Sequence, residues 1–338
     1  MTPASAPIAT VGKRIVLAYS GGLETSIAIP WLAERHGAEI IAVTVDLGQG
    51  KEVLEEIRDR ALATGALRAH VVDARDAFAR DYIVRALKAG LLAERSPIAA
   101  SLAHPLIAQK VVEIANIEQA TTVAHGDPAG SASPLDRTIR SLDPIVTVLA
   151  PAGEWAMTQD AQIAYALLRH VTLPVAFSGL GDRASAPKAA ASLPGEPAYV
   201  DIAIERGVPV GVNGVTMPLL DLMGSLGIIA HAHGVGCLPA LQRAHDALET
   251  AAIAAPGEFS SPRIAGQYLR VLDAGAWFTP ARHALDANAD AVQQQVSGHV
   301  RLKLFRGDCA VGDVQVVAPK TIVLARTKGW DQGPVTDD

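Results

Sequence analysis

The residues best suited to chemistry lie at positions 18–26, Ala-Tyr-Ser-Gly-Gly-Leu-Glu-Thr-Ser, at the end of an apolar run. Two adjacent glycines allow a tight turn and leave no Cβ to keep a ligand away from the backbone. The free N–H groups of such a turn and of a following helix converge and favour an oxyanion such as phosphate. Ser20, Thr25 and Ser26 add hydroxyl groups. The pattern predicts a phosphate-binding loop in preference to an ordinary strand-to-helix turn.

Alternating apolar and amphipathic stretches in the first half must position this loop. Strands are predicted at 15–19, 40–45, 69–72, 121–124 and 145–149, and helices at 24–36, 52–64, 77–92, 102–115 and 158–170. Strands that alternate with helices predict an α/β fold, with a parallel sheet covered by helices on both faces. Ligands of such sheets sit outside the carboxyl ends of the strands, where the Ser-Gly-Gly turn falls.

The second half mixes strands and helices without strict alternation, which predicts a smaller α+β domain. Residues 178–196, rich in Gly, Ala, Ser and Pro, predict a linker or loop before it. The predicted strands are 198–205, 208–212, 300–305 and 313–317, and the helices 219–232, 238–252, 262–274 and 280–295. The expected organisation is a flexible start (1–13), a nucleotide-binding domain (14–176), a linker (177–197), an α+β domain (198–325) and a tail (326–338).

The bulk composition limits the partners and the compartment. The net charge of −6, without any basic block, argues against nucleic-acid or anionic-membrane binding. Two cysteines are too few for a disulfide framework, and the first ten residues lack the features of a signal peptide. No uncharged apolar run is long enough to cross a bilayer. A soluble cytoplasmic protein is therefore expected.

Several separated segments resemble the argininosuccinate synthase family, which belongs to the N-type ATP pyrophosphatases with a PP-loop. Besides positions 18–26, they include AVTVDLGQ at 42–49, LAHPLIAQKVVE at 102–113, AHG at 124–126 and GHVRLKLFRG at 298–307. The matching segments follow the family order through nearly the whole chain. The resemblance implies an adenine nucleotide alpha hydrolase-like first domain and a synthetase-type second domain.

The resemblance also implies an ATP-dependent, AMP-forming carbon–nitrogen ligase. The family adenylates the ureido oxygen of citrulline, releases pyrophosphate, and lets the amine of aspartate displace AMP. ATP with Mg²⁺ between its phosphate oxygens, small-molecule substrates and a homo-oligomer are the implied cofactors and partners. The implied nucleotide-binding residues are Ala18, Tyr19, Ser20, Gly21, Gly22, Leu23, Glu24, Thr25, Ser26, Val45 and Gly126.

Departures from the family pattern concentrate in the amino-acid sites. Glu24 replaces the aspartate of the loop, DPAGSASPL at 127–135 replaces a Thr-Gly-Lys-Gly-Asn-Asp-Gln stretch, and His104 replaces an arginine. A tyrosine-rich pattern becomes LAERS at 92–96, and a serine-bearing segment is replaced by the short 178–197. The remaining candidates for substrate binding are Arg95, Ser96, Asp127, Asp136 and Arg137.

These losses spare the nucleotide half. A group held by several convergent donors rarely stays bound once most donors are lost. The sequence therefore predicts a ligase that adenylates a ureido, amide or carboxylate oxygen and couples it to an amine, with substrates other than citrulline and aspartate. Two alternatives remain open: argininosuccinate synthase itself, and a non-catalytic nucleotide-binding homologue.

Histidines offer two weaker hypotheses. His125, beside Gly126, ranks first among the histidines for a role near the nucleotide, with simple packing as the alternative. His231 and His233, followed by Cys237, have a spacing compatible with a metal site, but a single His-x-His pair lacks the third and fourth ligands of the usual kind. No metal site built from protein side chains is predicted.

Overall fold

The computed structural model describes residues 13–92, 98–127, 129–155, 157–172, 193–253 and 261–317. Two five-stranded sheets form within them, one in each half of the chain. The predicted linker 177–197 and the predicted tail lie largely or wholly outside the described residues. The domain boundaries given above stay predictions.

The first sheet has the order β3-β2-β1-β4-β5, and every neighbouring pair is parallel. Its strands are β1 (Arg14–Ala18), β2 (Glu39–Asp46), β3 (Arg68–Asp73), β4 (Thr122–His125) and β5 (Thr147–Leu149). Each predicted strand is present, with ends displaced by at most two residues. The strand order reverses between β1 and β4, which places a crevice at their carboxyl ends.

Helices cover both faces of this sheet, which confirms the predicted α/β architecture. The first half contains α1 (Leu23–His36), α2 (Lys51–Ala63), α3 (Arg75–Phe78), α4 (Val84–Lys88), α5 (Ile98–Ile117), α6 (Pro134–Leu142), α7 (Pro151–Glu154) and α8 (Gln159–Leu168). Successive residues of a strand point to opposite faces. Accordingly, Leu17 packs in one core with Leu32 of α1, while Val16 packs in another with Val111 of α5.

Helix α6 was not predicted. Ser133 is the N-cap residue of this helix: its Oγ accepts a hydrogen bond from the Leu135 N–H at 3.1 Å, and Pro134 occupies the first turn. Proline is tolerated there because that N–H has no helical partner in any case. Leu135 and Ile139 are buried on its apolar face, and Leu142 packs against the same core. Three apolar side chains within nine residues form a pattern too short to stand out in the sequence.

The single helix predicted at 77–92 is wrong in detail. The chain instead forms α3, one wide π-helical turn at Ala79–Ile83, and α4. Tyr82 in this turn stacks on Trp277 of the second half, with ring centroids 5.1 Å apart. The Gln242 amide donates to the Leu87 carbonyl at 3.1 Å, and its oxygen accepts the Leu92 N–H at 3.0 Å. This segment therefore shares its core with the second half.

The second sheet is antiparallel, in the order β10-β9-β6-β7-β8. Its strands are β6 (Ala198–Glu205), β7 (Val208–Val212), β8 (Val215–Thr216), β9 (Gly298–Phe305) and β10 (Asp308–Val316). Asn213 and Gly214 turn between β7 and β8 with φ values of +50° and +79°, the left-handed values that favour this dipeptide. The short strand β8 was not predicted, and β10 begins five residues before the predicted 313.

Four helices accompany this sheet: α9 (Leu219–Ala232), α10 (Cys237–Ala252), α11 (Ser261–Asp273) and α12 (Pro280–Gln293). Alternate residues of β6 and β9, such as Val200 and Leu302, are fully buried in the core that the helices cover. In the part of the chain that the structure describes, no single helix is long and apolar enough to span a membrane. Helices α9 and α10 pass such a test only together, and a bend of 105° separates them.

Candidate nucleotide-binding site

The loops that follow β1, β2 and β4 meet at one edge of the first sheet. Ala18 of β1 is in register with Val43 of β2 on one side and with His125 of β4 on the other. Ser20 and Gly126, each one or two residues beyond its strand, therefore lie at the same carboxyl edge. This edge is the crevice where the strand order reverses.

Two glycines give the loop after β1 its shape. Gly21 has a φ of +77°, in the left-handed region that side chains disfavour. Space is also short, since a Cβ on Gly21 would lie 2.8 Å from the Ile57 Cγ1. Gly22 is extended (φ −74°, ψ 172°) and precedes the first residue of α1. The Ser20 Oγ accepts the Gly22 N–H at 3.2 Å, which closes the turn.

Buried side chains hold this loop from behind. The Tyr19 hydroxyl lies 3.0 Å from the Ser26 Oγ, and both residues are buried. Burial, the largest influence, raises the pKa of Tyr19. Thr44 donates to the Tyr19 carbonyl at 2.9 Å, and the buried Arg60 donates to the Gly21 carbonyl at 2.8 Å. Arg60 and Thr44 support the loop, and sequence analysis identified neither.

The predicted loop residues divide by exposure. Ser20 and Glu24 are exposed, Gly22 and Leu23 are half-buried, and Ala18, Tyr19, Gly21, Thr25 and Ser26 are buried. Gly126 lies directly against Thr25, since a Cβ on Gly126 would be 2.5 Å from the Thr25 Cγ2. The structure thus brings the end of β4 to the first turn of α1. The hydroxyl of Ser26 points into a hydrogen bond with Tyr19 rather than toward solvent.

Val45 lies one strand away, near the end of β2, with its side chain buried. Its carbonyl accepts a hydrogen bond from the Gln49 amide at 3.0 Å, and the Gln49 Oε1 accepts the Leu47 N–H at 2.7 Å. These bonds fix the loop that follows β2. An open cleft of about 620 Å³ lies next to this loop and the start of α2, and Arg75 and Lys51 contribute to its lining.

Beyond Gly126 the chain forms a tight turn around Asp127. The Asp127 carboxylate accepts the Ala129 N–H at 2.9 Å and the Ser133 hydroxyl at 2.6 Å. Burial by itself raises the pKa of Asp127, but these hydrogen bonds and the nearby His125 and His104 outweigh it, so the pKa is lowered. Asp127 is therefore a charged carboxylate at the mouth of the crevice.

His125 and Asp136 form a buried pair behind that turn. The His125 Nδ1 accepts the Asp127 N–H at 3.3 Å, so its Nε2 carries the proton and faces the Asp136 carboxylate at 3.4 Å. Asp136 is 1% exposed and also accepts from the Arg140 Nε at 2.5 Å. Burial, the largest influence, lowers the pKa of His125. With both nitrogens engaged, His125 packs and orients the turn.

The other predicted substrate-binding residues divide as follows. Arg95 and Ser96 lie outside the described residues. Asp136 is buried against Arg140, and the Arg137 guanidinium donates to the Asp273 carbonyl at 2.6 Å, toward the second half of the chain. Of the five candidates, Asp127 is the one that the described structure places beside Gly126.

No group of three or more His, Cys, Asp or Glu side chains suited to a metal ion occurs among the described residues. At the second histidine motif, the Cys237 thiol donates to the Met223 carbonyl at 3.4 Å. Burial raises the pKa of that thiol to about 12, which disfavours the thiolate that metals bind.

Family models match both halves of the chain. The arginosuccinate synthase N-terminal HUP domain matches residues 14–172, and the arginosuccinate synthase C-terminal domain matches residues 237–316. The chain belongs to the arginosuccinate synthase family. The argininosuccinate synthases of Bacillus thuringiensis (strain Al Hakam) and Bacillus cereus (strain 03BB102) are each 33% identical over 348 residues, spanning 88% of this chain and 86% of theirs.

Membership makes the chain an ATP-dependent, AMP-forming carbon–nitrogen ligase and confirms the resemblance stated from its motifs. Among solved structures, the U34-tRNA thiolase NcsA from Methanococcus maripaludis aligns at 14% identity and a TM-score of 0.33, over 74% of this chain and 77% of that one.

Proposed function

We propose that this ligase transfers AMP from ATP to a ureido, amide or carboxylate oxygen, releases pyrophosphate, and joins the activated acceptor to an amine. We further propose that the acceptor and the amine differ from citrulline and aspartate. The observation that carries this proposal is a contrast at one edge of the sheet. Hydrogen bonds hold the loop at Ser20–Ser26 in one conformation, whereas the adjoining turn carries the acidic Asp127, whose described hydrogen-bond donors are the Ser133 hydroxyl and the Ala129 N–H. An acidic side chain of this kind disfavours the binding of a second carboxylate.

In this proposal ATP lies along the carboxyl edge of β1, β2 and β4. Backbone N–H groups on either side of Gly22, whose own N–H is bonded to the Ser20 Oγ, contact the phosphates, while Val45 borders the adenosine and Gly126 contacts the nucleotide. Negative charge on the pyrophosphate oxygens grows as the bond to AMP breaks. Preorganised N–H groups stabilise that charge more in the transition state than in bound ATP. The fixed Gly21 peptide, held by Arg60, supports this assignment.

Mg²⁺ would neutralise part of the charge on the phosphates of ATP. Such ions use phosphates, water and one or two carboxylates rather than an all-protein cage. Glu24 suits that role because it is exposed in the first turn of α1. Its Oε2 is 3.8 Å from the point where a Cβ on Gly22 would lie. We therefore propose Glu24 as the protein ligand of the ion.

Argininosuccinate synthesis is the second candidate, because the relatives that bear this name are 33% identical to the chain. It requires Arg95, Ser96 or other residues to bind two amino-acid substrates with three carboxylates. A cytoplasmic homo-oligomer without nucleic-acid or membrane partners completes the proposal. The net charge of −6 supports the absence of polyanionic partners, and the family resemblance supports the oligomer.

Pyrophosphate release tests the proposal. The purified protein with ATP and Mg²⁺ is given citrulline plus aspartate, and separately a panel of amino acids, amides and ureido compounds with a mixture of amines. We expect release with an acceptor other than citrulline. Ser20→Ala should abolish it, and the matched control Ser141→Ala, on an exposed serine of α6, should not. Release with citrulline and aspartate would favour the second candidate, and its absence with every acceptor would refute the ligase.

A further inference from the structure

A buried arginine stands behind the nucleotide loop. Arg60, in α2, is 7% exposed, and its Nη1 donates to the Gly21 carbonyl at 2.8 Å. Its Nη2 donates to the Glu56 carboxylate at 2.6 Å, one turn earlier in the same helix. Its Nε is shielded from solvent and has no hydrogen-bond partner among the described residues. One branch of this cation is therefore committed to a single peptide of the loop.

Attachment of α2 to the loop does not explain this arginine. Ile57 of the same helix already packs against the loop, since a Cβ on Gly21 would lie 2.8 Å from the Ile57 Cγ1. Burying a charge costs free energy, and apolar side chains of similar size often serve packing as well or better. A buried cation at this position therefore needs a reason beyond packing.

The peptide that Arg60 holds is one that can flip at little cost. It joins Gly21 to Gly22, and neither residue has a Cβ to oppose rotation of the peptide plane. The following carbonyl, that of Gly22, is fixed by α1 itself, because it accepts the Ser26 N–H at 3.0 Å and the Thr25 hydroxyl at 3.3 Å. The Gly21 carbonyl precedes α1 and is held from α2 instead.

A flip of this peptide would change what the loop presents to a ligand. A trans peptide directs its C=O and its N–H to opposite sides, so the Gly22 N–H points away from Arg60 and donates to the Ser20 Oγ at 3.2 Å. After a flip, the Gly21 oxygen would occupy that side, and the bond that closes the turn would be lost. A carbonyl oxygen in that place repels phosphate oxygens.

The charge of Arg60 acts in the same direction. Its side chain is 6% exposed, whereas 61% of the Glu56 side chain is exposed. Solvent screens the exposed carboxylate more than the buried guanidinium, so the pair leaves a positive field at the loop. That field attracts phosphates on the other side of the Gly21–Gly22 peptide.

We propose that Arg60 is a positioning residue for adenylation, which holds the Gly21–Gly22 peptide in the conformation that accepts phosphates and stabilises those that leave as pyrophosphate. The inference rests on the proposed function and adds a residue to its nucleotide site. Arg60 acts through the peptide and not on the reacting atoms. Its effect therefore concerns ATP and pyrophosphate, and AMP, which lacks the two leaving phosphates, binds without it.

A comparison of three ligands separates this role from a general loss of structure. Calorimetry measures the binding of ATP, pyrophosphate and AMP, each with Mg²⁺, to the wild-type protein, Arg60→Met, Arg60→Lys and the matched control Arg58→Met. Arg58 lies two residues earlier in α2, and its side chain is 47% exposed and paired with Asp59. Urea unfolding shows whether each variant is folded. Arg60→Gln, with a shorter neutral side chain, replaces Arg60→Met if the latter does not fold.

We expect Arg60→Met to weaken ATP and pyrophosphate binding by at least about tenfold, the loss of one hydrogen bond from a charged group, and to leave AMP affinity within about twofold. Arg60→Lys keeps the charge and a donor and should recover most of the loss, while Arg58→Met should bind all three ligands normally. The losses in Gly21→Ala and Arg60→Met should not add in the double variant, because both changes act on one peptide.

Three results would overturn the inference: unchanged ATP and pyrophosphate affinity in folded Arg60→Met, an equal loss for AMP, or an Arg60→Lys variant that binds no better than Arg60→Met. These results concern binding and leave the ligase reaction intact. A wild-type protein that binds ATP but releases no pyrophosphate with any acceptor would instead refute the proposed function and leave the role of Arg60 in binding standing. The two failures are therefore distinguishable.

Discussion

Replacement of Gly21 by alanine is the sharpest perturbation of the nucleotide loop. Two costs add at this position. An L-residue in the left-handed region costs roughly 1–2 kcal/mol, and the φ of Gly21 is +77°. The new Cβ would also lie 2.8 Å from the Cγ1 of Ile57, a core side chain that is 2% exposed. Overpacking of this kind costs about 1–3 kcal/mol.

The sum, about 2–5 kcal/mol, opposes the loop conformation seen here. The loop cannot shift freely, because Arg60 binds the Gly21 carbonyl at 2.8 Å. Where the variant keeps this conformation, the cost appears as lost stability. Where the loop relaxes, ATP must restore it on binding, and the cost appears as lost affinity of about 30-fold to several thousand-fold.

Isothermal titration with ATP and Mg²⁺, combined with urea unfolding, measures both parts. The matched control is Gly37→Ala at the end of α1, where φ is +59° and a Cβ would meet nothing within 4 Å. That control should lose about 1–2 kcal/mol of stability and bind ATP normally. Wild-type stability together with wild-type ATP affinity in Gly21→Ala would refute the argument for this loop.

Three further predictions follow from contacts described above or at the junction of the two halves. Gly126→Ala should lower stability by about 1–3 kcal/mol and weaken ATP binding, because its Cβ would lie 2.5 Å from the Thr25 Cγ2; calorimetry measures both. Stability should fall below about pH 6.5, because buried His125 has a lowered pKa and the unfolded chain then binds more protons, with a slope up to about 1.4 kcal/mol per pH unit from this residue. Asp290→Asn should cost about 1–2 kcal/mol in urea unfolding, since Asp290 accepts from Arg85 at 2.6 Å with 38% of its side chain exposed.

Each of these has its own control or contrary result. For Gly126→Ala the control is Gly195→Ala, which has open space around the new Cβ and should change neither the stability nor the ATP affinity. The variant His125→Gln should lose less stability than the wild-type protein below about pH 6.5. An unchanged fall in stability would contradict the assignment of this pH dependence to His125. Asp313→Asn, whose nearest cation is 4.0 Å away and whose side chain is 79% exposed, should cost almost nothing. A similar loss in both aspartate variants would show that the Asp290 contact is not special.

The strands and the tight turn after β1 were predictable because their signals are local. Apolar runs bounded by glycine or polar residues mark β1 and β2, and the Ser-Gly-Gly turn is contiguous in the chain. The supporting contacts were not predictable, because they join distant positions. Arg60 reaches Gly21 across 39 residues, and no periodic pattern connects the two.

The histidines show the same limit. Sequence analysis favoured His125 because it precedes Gly126. Both of its ring nitrogens are already hydrogen-bonded within the protein, so neither is available to a ligand. His104 was noted only as a departure from the family pattern. Its buried Nδ1 has no hydrogen-bond partner among the described residues, and this feature is visible only in the folded chain.

The most direct test of the central claim follows an oxygen atom. The acceptor identified by pyrophosphate release is labelled with ¹⁸O at the oxygen proposed to be adenylated, and the AMP formed with an amine is analysed by mass spectrometry. An adenylated acceptor that loses its C–O bond to the amine must leave the labelled oxygen in the phosphate of AMP. Labelled AMP is the predicted result. Unlabelled AMP, or ADP in its place, would contradict the account.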